Sequence, residues 1–61
     1  MTKAETRELE TIKKYIAAGM ADTAARALSA LIRSTMRQST AQELHRFAIN
    51  QGLSNQPEFI A

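Results

Sequence analysis

The chain has no cysteine, no tryptophan and no valine, and only one histidine, one proline and two glycines in 61 residues. The missing cysteine excludes disulfide staples, thiolate zinc sites, iron–sulfur clusters and a cysteine nucleophile. A lone histidine, His45, excludes a multi-histidine metal site within one chain. Gly19 and Gly52 stand far apart, so no glycine-rich phosphate loop can form. No apolar run approaches the roughly 18–20 residues of a membrane span. The absence of valine and the scarcity of aromatics argue against strands. Neither sign of charge dominates: eight Lys and Arg face six Asp and Glu, for a net charge of +2. A dedicated nucleic-acid domain concentrates more.

What remains is a composition of 44 % hydrophobic and 23 % charged residues, which is that of a folded globular chain. A chain of this length buries only about 60 % of its unfolded surface, so it makes one domain with a small core. The fold expected is all-α: a small three-helix bundle with a docked C-terminal turn or short fourth helix, residues 1–61 forming a single domain. Helix 1 is predicted over about 3–18, with Leu9, Ile12, Tyr15 and Ile16 within one arc. Its early glutamates and late lysines suit the helix dipole, and Glu10 with Lys14 makes an i,i+4 pair. Gly19 then follows the C-cap, with Met20 placed to fold back on the last turn. Helix 2 is predicted over about 22–37 behind an Asp22 N-cap, burying Ala24, Ala25, Leu28, Leu31, Ile32, Thr35 and Met36. Helix 3 is predicted over about 40–51, with Ser39 or Thr40 opening a capping box and Leu44, Phe47 and Ala48 facing inward. Gly52 ends it and Leu53 follows. In the tail, 53–61, Asn55 is the expected cap, Pro57 lies in the first turn, and Phe59 and Ile60 dock on the bundle.

No enzymatic chemistry is legible. Glu5, Glu8 and Glu10 cluster on exposed helical turns where nothing desolvates them, so nothing tunes them for acid–base work. No catalytic, cofactor-binding or metal-ligating residues are assigned, and no cofactor or small-molecule substrate is expected. Arg26, Arg33 and Arg37 fall within about 40° of each other on the helix 2 wheel, opposite the apolar stripe. With Arg46 they form a candidate phosphate-tracking set. Met20, His45, Ile49, Phe59 and Ile60 are candidate protein-interface residues, being apolar or amphipathic side chains at element ends and edges.

The stretch ELHRFAINQGLSNQPEFIA resembles the first part of a helix-turn-helix motif, with Ala48 and Gly52 at the motif's Ala and Gly positions. It departs from the motif at Gln51, where an apolar residue is usual. The would-be recognition helix also carries Pro57 and Glu58 and no Lys or Arg. The runs ETRELETIKKY, AAGMADTAARALSALIR and PEFI are similar to short uncharacterised open reading frames of proteobacterial and prophage origin. That resemblance implies a small bacterial or phage accessory protein and carries no functional residue across. The reading is a non-enzymatic interaction or regulatory protein that binds a protein partner or itself as a homodimer. A small nucleic-acid-binding module is the alternative. Nothing in Met1–Glu10 reads as a secretory signal, so a cytoplasmic protein without membrane association is expected.

Overall fold

The computed structural model describes residues 1–60, of which four α-helices and one 3₁₀ turn make up 82 %. The helices are α1 (Lys3–Ala17), α2 (Ala21–Ser34), α3 (Gln38–Asn50) and α4 (Pro57–Ile60), with the 3₁₀ turn at Leu53–Asn55. The fold is the expected small all-α bundle, 27 × 20 × 18 Å in extent.

Helix α1 opens with a capping box that the sequence reading passed over. Thr2 N–H donates to Glu5 Oε1 at 2.8 Å, and Glu5 N–H donates to Thr2 Oγ1 at 3.1 Å. Two of the N–H groups that a helix start leaves unpaired are thereby satisfied. On the exposed side Glu10 Oε1 meets Lys13 Nζ at 3.7 Å, one residue short of the expected Lys14. The helix ends where expected. Gly19 takes φ +78°, its N–H donates to Ile16 O at 3.1 Å, and Met20 N–H donates to Tyr15 O at 2.9 Å. These two bonds form a Schellman motif.

Helix α2 starts and stops earlier than predicted. Its N-cap is Met20, which makes no side-chain cap bond, and Asp22 lies inside the first turn. Its end is set by Ser34 and Thr35. Ser34 Oγ donates to Leu31 O at 2.9 Å, the same carbonyl that accepts Thr35 N–H at 3.1 Å. Thr35 then turns extended, with ψ 139°. Short hydroxyl side chains offer the backbone this alternative to another helical turn. Met36 therefore leaves the predicted stripe and is 99 % exposed. Arg37 becomes the N-cap of α3 rather than the last turn of α2. The Ser39 and Thr40 capping boxes do not form, because α3 begins at Gln38 and Thr40 is buried inside it.

Helix α2 is the hub, packing against α1, α3, α4 and the 3₁₀ turn. The core is Ile12, Ala24, Ala25, Leu28, Leu31, Leu44, Ala48 and Leu53. Leu9, Tyr15, Ile16, Ile32 and Phe47, inward by their helical spacing, close around it partly buried, and Phe59 joins them from the tail. Ala24 and Ala25 are wholly buried, so α2 can approach its neighbours closely. In the tail the cap is Gln56, not Asn55: Gln56 is extended before Pro57, and its carbonyl accepts Phe59 N–H at 3.0 Å. A residue preceding proline is driven out of the helical region, and proline itself fits a first helical position. Phe59 docks as expected; Ile60 does not and stays 75 % exposed.

Candidate functional site

The structure separates the four candidate arginines. Arg26 and Arg33 lie seven residues apart on α2 and line one open groove of about 460 Å³, together with Ser29, Ala30, Pro57 and Glu58. Arg37 caps α3 and Arg46 lies exposed along it, and neither lines that groove. Sequence reasoning missed four members of the groove, two of them polar, Ser29 and Glu58. Ser29 is 8 % exposed. It stands four residues after Ala25 and three before Ile32, so the helical period already assigned it to the inward stripe. Glu58 has a buried Oε1 without a hydrogen-bond partner among the described residues. No local signal marks that, because the burial comes from α4 folding onto α2.

A second open groove, of about 480 Å³, runs along the other side of α2, between it and α1. Ala27, Ala30, Leu31 and Ser34 form one wall, and Ala4, Glu5 and Glu8 the other. Ala30 is common to both grooves. The Glu5 carboxyl is held below its ordinary pKa, first by the Thr2 N–H and then by the Thr35 hydroxyl at the far end of α2. Glu5 and Ser34 line this same groove, so the start of α1 lies beside the end of α2 and the two helices are antiparallel neighbours. A smaller groove of about 210 Å³ lies between the last turns of α1 and α3, lined by Lys13, Ile16, Ala17, Phe47 and Gln51.

The candidate interface residues are likewise spread over the molecule. His45 stands against Phe59 with ring centroids 5.7 Å apart and planes tilted by 55°, a geometry that helps hold α4 on α3. Met20, Ile49 and Ile60 are 43 %, 56 % and 75 % exposed, on the first corner, on α3 and at the end of α4 respectively. The segment resembling a helix-turn-helix does not continue into a recognition helix. After Gly52 come one 3₁₀ turn and an extended Gln56, which break the stretch where that helix would run. Among the described residues no group of three or more His, Asp or Glu is placed to hold a metal ion. None of these helices is long and apolar enough to cross a membrane. No family model, no curated protein and no solved structure matches this chain.

Proposed function

We propose that this chain is a non-enzymatic interaction protein of bacterial or phage type, and that it presents the outer face of α2 to a protein partner or to another copy of itself. The observation that carries the reading is the open strip around Ala30, flanked on each side by a groove with charged walls. The central helix of a bundle is normally covered by its neighbours, yet here α1 and α4 stand apart and leave this face uncovered. Arg26, Ala30, Arg33 and Ser34 are all exposed along it. Further apolar side chains stand exposed at element ends, Met36 most of all at 99 %. Methionine adapts its shape to a partner surface, which suits such a role.

Ala30→Arg tests the reading without burdening the fold, since alanine and arginine are both good helix formers. The expected result is loss of the proteins captured by the wild type from a bacterial lysate, or loss of self-association in sedimentation. Identical capture and identical sedimentation of the two proteins would refute it.

The runner-up is nucleic-acid binding through Arg26 and Arg33, favoured by their sharing one groove with Ser29. With Arg37 on a separate element, two phosphate contacts predict a slope of log K against log salt of about −2. An amide-resolved NMR titration with duplex DNA at low salt would show shifts grouped at Arg26 and Arg33 if this reading holds. An absence of shifts would dismiss it.

A further inference from the structure

We infer that the partner of the α2 face is a second copy of this chain, paired in parallel about a two-fold axis that runs along α2. This rests on the reading of α2 as the interaction surface and names its occupant. Ala27, Ala30 and Ser34 follow one another at spacings of three and four, which keeps them on a single stripe. Small side chains would admit many helices there, so the choice of partner falls to the flanks. One flank carries Arg26 and Arg33, both exposed, against a single half-buried carboxylate, Glu58, so among the described residues two cations face one anion there. The opposite flank carries Glu5 and Glu8 of α1. The face is thus basic along one edge and acidic along the other.

That polarity is self-complementary in one arrangement only. A two-fold axis parallel to α2 exchanges the edges, so each copy's glutamates meet the other's arginines, and the contact is made twice. A two-fold axis across α2 makes the helices antiparallel and sets carboxylates against carboxylates and guanidiniums against guanidiniums. Heights along the helix agree with the parallel choice. Glu5 and Ser34 line the same groove, level with the turn that carries Arg33, and Glu8, about 4.5 Å further along α1, stays within a turn of it, so Arg33 is the arginine that meets both glutamates. An isologous contact of this kind closes on itself as a dimer. A need for one is also written in the core, where, among the described residues, only Ile12, Leu28, Leu44 and Leu53 are large and fully buried. Domains with so little core commonly gain stability by association.

Two variants test the charge pairing: Arg26→Glu with Arg33→Glu, and Ala4→Lys with Glu8→Lys, the latter leaving the Thr2–Glu5 cap intact. The wild type should sediment as a dimer that dissociates on dilution. Each variant alone should be monomeric and helical by circular dichroism, and an equimolar mixture should recover the dimer, because the mixed pair restores opposite charges along both edges. A monomeric wild type at all concentrations, or a mixture that stays monomeric, would overturn the proposal.

The natural lack of cysteine provides a second measurement that does not depend on those variants folding. With an added oxidant, Ala27→Cys, Ala30→Cys and Ser34→Cys should each cross-link to its own copy, since a parallel pair sets like residues face to face. Cross-linking at only one of the three would show an antiparallel pair and overturn the inference. A monomeric chain whose capture of other proteins still depends on Ala30 would end the self-pairing and leave partner binding in place. Loss of both would end both.

Discussion

Gly19 closes α1 and Gly52 closes α3 with similar glycine turns, and at the first corner Met20 N–H adds a bond back to Tyr15 O. The glycines take φ +78° and +73°, and each donates its N–H over 3.1 Å to a carbonyl three residues back, Ile16 O and Ile49 O. The side chains that follow then part company. Met20 is 43 % exposed and Leu53 is 2 % exposed. The reason lies in what comes next. After Met20 the chain enters α2 at once, and the Met20 carbonyl already accepts Ala24 N–H at 2.9 Å. After Gly52 a 3₁₀ turn and α4 fold across α2, so Leu53 is roofed by elements on three sides. A glycine stop settles where a helix ends; whether the next apolar residue is buried depends on the path of the chain beyond it.

The largest expected effect separates the two corners. Leu53→Ala should cost about 2–5 kcal/mol, as deletion of a buried leucine does. On a domain of this size that would leave much of the protein unfolded in a thermal melt. A melt unchanged from wild type would show that the tail does not cover Leu53 in solution and would erase the contrast.

The glycines themselves should behave alike. Gly19→Ala and Gly52→Ala each place a side chain at positive φ, with no atom within 4 Å to crowd it. The backbone penalty of about 1–2 kcal/mol is then the whole effect, and denaturant unfolding should return similar losses for both. A much larger loss at Gly52 would mean that its turn also carries the docking of α4.

Thr2→Ala acts at the opposite end of α1 and touches neither corner. It should cost about 1 kcal/mol through loss of the cap, measurable as a shift in denaturation midpoint. The same site predicts a pH response. Glu5 in the folded protein titrates below its ordinary 4.5. Its contribution is therefore fully present above the unfolded value and is lost as pH falls through the lower, folded one. The acid-side fall in melting temperature should be shallower in Glu5→Gln, and an identical fall would remove Glu5 from the account. The smallest effect closes the comparison: Met20→Ala should change stability by no more than about 0.5 kcal/mol. A loss approaching that of Leu53→Ala would show that Met20 is covered in solution, for instance by a second copy.

Much of the fold was legible because its signals are local. The apolar arcs of α1 and α3, the two glycine stops and Pro57 at a helix start each depend on residues within one or two turns. The lapses were local as well. The Thr2–Glu5 box was in plain sight, and the Ser34–Thr35 pair could have been read as a stop before Met36. The candidate site was less legible. Arg26 and Arg33 were identified, but their groove requires α4, whose lining residue Glu58 lies 25 positions beyond Arg33 in the chain. The acidic edge is formed by α1 reaching the far end of α2, which the spacing of Glu5 and Glu8 does not reveal.

By itself, then, the sequence determined three main helices, where α1 and α3 stop, and which face of each turns inward, since hydrogen bonding and helical period act over three or four residues. The tertiary structure alone decided that Leu53 is sealed while Met20 and Ile60 are not, that Glu58 lines one groove with two arginines of α2, and that the face around Ala30 stays open. Those outcomes depend on how distant segments cross, and burial is a property of the crossing rather than of the residue.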